Sequence, residues 1–478
     1  MEQTIMTTEQ SSWTLRTWLA FVLGKLCILL LQLAQWLRLP WGGTAFPGRV
    51  ALKIDRNIVS VLRKRYRRFI LVTGTNGKTS TTALLVKLLQ STGEQVVSNP
   101  EGANMIPGLV TALLKAESIC QPASGNSDRN RLAVLEVDEG SLLPLSRLIT
   151  EVDLVMVTNL FSDQLDRYGS VTALARRMKE AFAAWPEATL LLNADDPLVA
   201  SFGHSHTCAY YYAVETSHSG PLTASRKLGD ISLCPLCEQT LKFSSRSYAH
   251  LGHYTCPACN FSRPQVMFTG YPLPNQEQPG TKFLVRTPTG ESEFYSNLTG
   301  LYSIYNIISA LATTLVLQPE TELSSLQPVV TAFQAPAGRT EHFIWPDRDK
   351  KGTLVLVKNP AGFNQALATL VNTTTLLVAI NDLPADGRDI SWLWETDIDA
   401  LTDNISIICS GRRAADVAVC FKYHGLTPDK LTILPEPDKA VQAALTAPGQ
   451  NFGILCNYTI LEPIRHALLQ QGGNSYAA

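Results

Sequence analysis

Residues 69–82 read FILVTGTNGKTSTT. The apolar run Phe69, Ile70, Leu71, Val72 has the composition of a buried strand, and the turn carrying Gly74, Gly77, Lys78 and Thr79 opens a periodic segment, Thr81 to Leu89, that reads as a helix. Strand, glycine turn and helix together make a phosphate cradle. The glycines let backbone N–H groups approach phosphate oxygens, the helix N-terminus adds positive potential, Lys78 reaches the terminal phosphates and Thr79 holds Mg²⁺. The nucleotide-contacting candidates here are Thr75, Asn76, Gly77, Lys78, Thr79 and Ser80. In the commoner form of the motif the first glycine falls five residues before Gly77, where this chain has Val72. A plain glycine turn would leave the adjoining Lys and Thr without a purpose.

Around this stretch lie 478 residues, enough for about three domains, with 45% apolar and 17% charged residues, as in ordinary globular proteins. The net charge of −1 gives no global argument for nucleic-acid binding. Ten cysteines in so long a chain do not suggest a secreted disulfide scaffold. Two C-x-x-C pairs point instead to metal in a reducing, cytoplasmic compartment.

Before the cradle, residues 18–39 read WLAFVLGKLCILLLQLAQWLRL, strongly apolar yet with Lys25 in the interior and Gln32 and Gln35 beyond it. That is borderline for a membrane span, and no small-residue cleavage site marks a signal peptide. Two readings remain: a helix packed on the protein, or one lying at the inner face of the membrane beside the basic run Arg63, Lys64, Arg65, Arg67, Arg68. The first is preferred, because a charge run is usually a solvated face. Pro40 to Gly48 then form a connector.

Beyond the cradle, strands alternate with helices, the pattern of a parallel sheet covered on both faces, and ligands gather at the carboxyl ends of such strands. The apolar runs 132–137, 154–157 and 189–192 end in Glu136, Asp138 and Glu139, in Thr158 and Asn159, and in Asn193, Asp195 and Asp196. Glu136 is the first choice for Mg²⁺. Any one of these residues could equally be a helix cap or turn residue.

Between Asp196 and Leu298, Cys234, Cys237, Cys256 and Cys259 form two C-x-x-C knuckles separated by eighteen residues, which suits four thiolates around one tetrahedral, structural zinc. Two disulfides or unrelated thiols are the alternatives. His250 and His253 read as surface residues, since four thiolates satisfy the metal. After about residue 343, apolar runs at 354–357, 376–380, 405–409, 431–434 and 452–456 suggest a smaller doubly wound, Rossmann-like domain. Its most polar loop, NDLPADGRDISW at 381–392, is either a capped turn or part of a site. Cys409, Cys420 and Cys456 sit in or beside apolar runs and read as buried structural thiols. The chain thus divides into an apolar helical arm and connector (1–60), an α/β P-loop ATPase unit (61–343) with the cysteine insertion at about 205–275, and the C-terminal unit (344–478).

TGTNGKTST (73–81), SNPEGAN (98–104), LEVDEG (135–140), TNLFSDQLDRYGS (158–170), LNADDP (192–197), LTGLYSIYN (298–306) and AGRTEHF (337–343), in that order, resemble the central ATPase domain of the Mur ligases. The resemblance implies ATP-driven activation of a carboxylate as an acyl phosphate, then attack by an amine. It places Lys78 and Thr79 on phosphates and Mg²⁺, Glu136 on the metal, Asn306 and Asp195 on the nucleotide and Arg339 on the phosphates. Departures narrow the choice. Gln164 and Tyr168 stand where the family usually has histidines, and the lysine that many members carbamylate falls near Met178, with Lys179 one place later, so that role has no assigned residue. Only about seventy residues precede the cradle, too few for the usual sugar-nucleotide domain.

KNPAGFNQAL (358–367) and NDLPADGRDISWLW (381–394) extend the resemblance to the MurT family, ligase subunits of lipid II isoglutaminyl synthase that work as a heterodimer with a glutaminase, GatD. It implies phosphorylation of the α-carboxylate of D-glutamate in the lipid II stem peptide, in peptidoglycan synthesis, and displacement of phosphate by partner-derived ammonia to give D-isoglutamine. It also implies that Asp389, with Asp386 as fallback, completes the partner's Cys–His pair. The chain has no glutaminase segment of its own, which fits. Two alternatives are an amino-acid-adding ligase of folylpolyglutamate type and a nucleic-acid module built on the cysteine insertion. The second is disfavoured because basic and aromatic residues do not interleave there.

Overall fold

The computed structural model describes residues 13–37, 44–99, 103–118, 130–162, 169–216, 231–275, 280–336, 340–370, 373–398, 401 and 405–476. The cradle's strand, β1 (Arg68–Thr73), lies inside a nine-stranded sheet with β2 (Gln95–Ser98), β3 (Arg131–Glu136), β4 (Leu154–Val157), β5 (Thr189–Asn193) and β6 (Ala209–Val214). All of these are parallel, in the order β6-β5-β4-β1-β3-β2. Because β1 is covered on both faces, its apolar run is continuous rather than alternating. Phe69 and Leu71 enter the core on one face, Ile70 and Val72 the core on the other. The chain leaves β1 to one side for β2 and β3, then crosses to β4 on the other. The carboxyl end of β1 is therefore the switch point at which such sheets bind ligands.

A two-stranded unit, β7 (Lys242–Tyr248) and β8 (Leu251–Thr255), leaves the sheet after β6. The chain then returns as β9 (Phe268–Leu273), parallel to β6, and ends in the antiparallel hairpin β10 (Thr281–Thr287) and β11 (Gly290–Ser296). The insertion is thus shorter than the expected 205–275, because both flanking strands belong to the main sheet.

The second sheet has the order β16-β15-β14-β17-β13-β12-β18, from β12 (Thr340–Trp345), β13 (Lys350–Leu356), β14 (Thr375–Ala379), β15 (Ser406–Ser410), β16 (Leu431–Ile433), β17 (Asn451–Cys456) and β18 (Asn474–Tyr476). Its five parallel strands match the five apolar runs. Residues 340–343, which motif order assigns to the ATPase unit, instead form β12, antiparallel to β13 and β18. The boundary therefore falls before residue 340.

At the front, α1 (Leu15–Trp36), α2 (Phe46–Ile54) and α3 (Ile58–Arg63) pack on the sheet's first face with α5 (Ile106–Ala116); α4 (Lys78–Ser91) covers the other. Lys25 is explained here. Its ammonium donates to the carbonyls of Leu114 (3.0 Å) and Glu117 (2.6 Å) at the C-terminal end of α5, where a cation is favoured. The basic run is a solvated face only in part: Arg63 and Arg65 are buried, paired with Asp153 (2.8 Å) and Glu117 (2.7 Å), whereas Lys64 and Arg67 are exposed, Arg67 on Glu94.

Candidate active site

The turn after β1 is held from β4. Thr75 N–H donates to the Asn159 carbonyl (2.8 Å), Asn76 N–H to Asn159 Oδ1 (2.9 Å), and Thr158 Oγ1 to the Asn76 carbonyl (2.8 Å). Phe161 N–H closes the loop on Thr75 Oγ1 (3.0 Å). Two positions require glycine. Gly74 has φ +121°, and an added Cβ would lie 2.2 Å from Thr158 Oγ1; Gly77 has φ +85°, and its Cβ would lie 2.1 Å from Asn306 Oδ1. The sequence placed the helix start at Thr81, but helical backbone begins at Lys78, directly behind Gly77. The helix's unpaired N–H groups therefore face the turn.

Lys78 donates to the carbonyls of Gly74 (2.5 Å) and Thr75 (3.2 Å) and pairs with Glu139 (3.1 Å). Burial alone would lower its pKa; the carboxylates of Glu139, Glu136 and Asp138 outweigh that and hold it above the ordinary lysine value. Glu136, beside Val72 in the strand register, is buried and accepts from Asn104 Nδ2 (3.0 Å), which leaves a carboxylate of the hard-oxygen kind at the strand end. Triphosphate and Mg²⁺ suit this donor set: helix N–H groups and an ammonium for anionic oxygens, a hydroxyl and a carboxylate for the cation.

Above the turn opens a cleft lined by Asn76, Gly77, Thr79, Ser80, Tyr248, Tyr302 and Asn306, and closed from the second sheet's side by Val355, Ala361 and Gln365. The structure brings Asn306 and the loop residues together as expected. Asp195 is elsewhere. It is fully buried and does not line the cleft; its carboxylate accepts from Arg263 Nε (2.6 Å), Tyr305 OH (2.7 Å) and Val214 N–H (3.0 Å). Arg339, Gln164 and Tyr168 lie outside the described residues. Met178 is core and Lys179 is exposed on the helix Val171–Ala183, so neither sits in the cleft.

Two contributors escaped the sequence reading. Tyr248, at the end of β7, reaches the cleft wall, stacks on Phe161 (5.8 Å) and meets Tyr305 edge-on (5.8 Å). Asn359 Nδ2 donates to Asn76 Oδ1 (3.1 Å), while Asn359 Oδ1 caps the helix Pro360–Thr369 on Gly362 N–H (2.8 Å). The second was within reach, since Asn359 belongs to the KNPAGFNQAL motif; nothing in the sequence marks Tyr248.

The four insertion cysteines converge, all Sγ atoms within 4.8 Å of one another, with Cys234–Cys259 at 3.6 Å and Cys237–Cys256 at 3.4 Å. Thiolates about 2.3 Å from one tetrahedral ion would stand at such spacings. The two knuckles share their backbone: Glu238 and Asn260, following the second cysteine of each, have φ 60°, and Glu238 and Asn260 N–H donate to the Cys234 and Cys256 carbonyls. His250 is not a surface residue. It is fully buried at 4.7 Å from Phe161, with Nε2 3.3 Å from Asp196, and plants the β7–β8 hairpin under the loop that holds the cradle. His253 pairs with Glu215 at 2.8 Å.

In the second domain, the two aspartates of the 381–392 loop differ in use. Asp386 accepts from Thr459 N–H (2.8 Å) and from its hydroxyl, so its carboxylate is spent inside the chain. Asp389 is exposed at the rim of a recess with Arg388, Trp394, Arg413 and Val419; Ser391 N–H donates to its Oδ1 (2.8 Å), which holds the carboxyl below its ordinary pKa.

A parallel sheet with a phosphate turn at its switch point, and a second α/β domain closing the cleft, define a ligase of the Mur type. The family described as Mur ligase middle domain matches residues 72–244, and the one described as MurT ligase C-terminal matches 356–461. A pseudomurein peptide ligase type C from Methanothermus fervidus has the same fold, with TM-score 0.67 at 21% identity over 84% of this chain and 79% of that one. Relatives in sequence are the lipid II isoglutaminyl synthase subunits MurT of Streptococcus pneumoniae (33% identical, 89% of this chain and 92% of that one) and Staphylococcus aureus (28%, 91% and 95%). The chain belongs to the MurT family.

Proposed function

We propose that this chain is the ligase subunit of a glutamine-hydrolysing lipid II isoglutaminyl synthase. It would act in the cytoplasm, where the cradle aligns the γ-phosphoryl group of ATP with the α-carboxylate of D-glutamate in the lipid II stem peptide. A carboxylate oxygen attacks the γ-phosphorus and ADP leaves, giving an acyl phosphate. Ammonia then attacks the acyl carbon, the C–N bond forms, phosphate departs, and a proton is lost to give D-isoglutamine. Lys78 and the N–H groups of α4 bind the phosphates, with Arg339 as a further phosphate ligand, and Asn306, packed against Gly77, positions the nucleotide beside the turn. Thr79 and Glu136 would hold Mg²⁺, which neutralises charge as the phosphoryl group transfers. Cys234, Cys237, Cys256 and Cys259 would hold a structural zinc, making the insertion a zinc ribbon.

The observation that carries the reading is the pairing of a phosphate cradle with a MurT-type domain whose one exposed loop carboxylate is Asp389. Asp386 is consumed by Thr459, so Asp389 is the residue able to reach a neighbouring subunit. Against a His of a GatD-like glutaminase it would fix the imidazole tautomer and stabilise the imidazolium. The test is ADP release and amidated product from lipid II, Mg-ATP and ammonium, then from glutamine with the partner present. Asp389→Asn should abolish glutamine-driven product and spare ammonium-driven product. Equal loss of both refutes the role, and no nucleotide turnover with any lipid II substrate refutes the function.

A further inference from the structure

The helix α1 is apolar around its whole circumference but covered on only one side. Thr17, Ala20, Phe21, Gly24 and Ile28 are buried against the protein. The opposite stripe, with Trp18, Leu19, Leu26, Leu29, Leu33 and Trp36 among its members, is 45% to 78% exposed. A helix apolar all round is ordinarily buried all round, and a patch of this kind on a folded surface marks an interaction site. Two features say which kind. Lys25 is turned inward to the end of α5, so the stripe carries no internal charge. The surrounding charge has one sign: residues 13–60 contain six Lys and Arg (Arg16, Lys25, Arg38, Arg49, Lys53, Arg56) against one acid, Asp55, which is buried and accepts from Thr17 Oγ1 (2.5 Å) and Asn57 N–H (3.0 Å). Arg49, Lys53 and Arg56 are exposed on and just beyond α2, which packs along α1, and Arg16 donates to the Ile54 carbonyl at the end of α2.

We propose that the exposed face of α1 seats this protein on an anionic lipid bilayer, with the helix in the plane of the interface, its leucines and tryptophans in the headgroup–acyl boundary and Arg49, Lys53 and Arg56 on the lipid phosphates. The buried half of the helix excludes a span: Gly24, Ile28 and the Lys25 contacts tie it to the body of the protein. The inference is independent of the ligase reading, because binding is measured without turnover.

The test is flotation of the full chain with vesicles of phosphatidylcholine alone or with added phosphatidylglycerol, alongside tryptophan emission. The wild type should float with the anionic vesicles, with a blue shift, and release at high salt. Leu29→Gln with Leu33→Gln should lose flotation at unchanged melting temperature, since both side chains are already exposed. Arg49→Glu with Lys53→Glu should weaken it by about fivefold for each basic residue removed. The proposal is overturned if the wild type does not float with anionic vesicles, or if the leucine pair floats like the wild type. It is equally overturned if scattering shows a lipid-free dimer that the leucine pair dissolves, or if a bound glutaminase subunit abolishes flotation; those outcomes assign the stripe to a protein.

Discussion

Asp386 and Asp389 sit in one loop and carry the same charge, but their hydrogen bonds separate a structural role from an external one. Asp386 ties the loop to the first turn of the helix Tyr458–Gln470 through Thr459. Its replacement by Ala should cost about 1 kcal/mol, as for a lost helix cap, and lower the melting temperature by about 2–4 °C. Asp389→Ala should leave the melt unchanged, because an exposed side chain with one backbone contact contributes within about 0.5 kcal/mol. Only the second should lose glutamine-driven turnover, so paired melts and assays distinguish the two. At the cradle, Gly77→Ala faces a left-handed backbone, costing about 1–2 kcal/mol, and a collision with Asn306. Calorimetric titration with Mg-ATP should show affinity reduced by roughly tenfold or more; undiminished affinity would remove Gly77 and Asn306 from the nucleotide site.

Among the elements, the β7–β8 hairpin joins the cysteine cluster to the cleft. One end of the insertion carries the four cysteines; the other places Tyr248 in the cleft wall and His250 against Phe161, whose N–H holds Thr75. If the four cysteines hold the proposed zinc, its removal should therefore loosen the nucleotide site from a distance. Chelation, or Cys256→Ser, should raise the dissociation constant for Mg-ATP on the order of tenfold, the worth of one or two aromatic contacts. Unaltered nucleotide affinity in fully metal-free protein would break that link. This element also shows where sequence reading ends. The cradle, the parallel strands of the second domain and the cysteine knuckles are each written locally, in a few adjacent residues with fixed spacing. Tyr248, by contrast, becomes a wall residue only because the hairpin folds back onto Phe161. Arg63 and Arg65 looked solvated because their acids, Asp153 and Glu117, lie far along the chain. Short antiparallel β18 has no apolar run of its own and exists by pairing with β12 across more than a hundred residues. Asp195 carried a position at a strand's carboxyl end but not the information that Arg263 and Tyr305 would enclose it.

At the scale of the whole molecule, the cleft belongs to neither sheet alone. The first supplies the phosphate turn and the second supplies Val355, Ala361 and Gln365, so catalysis depends on how the two domains are held. Asn359 is placed to do this, since one side chain both caps the helix Pro360–Thr369 and donates to Asn76 in the turn. The two duties can be separated by chemistry. In Asn359→Ser the hydroxyl still accepts from Gly362 N–H, as serine does at helix starts, but it is too short to reproduce the amide's bond to Asn76. Stability should then stay within about 0.5 kcal/mol of wild type, while ammonium-driven turnover falls by roughly tenfold to a hundredfold, the cost of misplacing reacting groups by about an ångström. Asn359→Ala should lose both the cap, at about 1 kcal/mol, and the turnover. Were Asn359→Ser to retain full turnover, the Asn76–Asn359 bond would be a bystander, and domain closure would rest on the apolar contacts of Val355 and Ala361 instead.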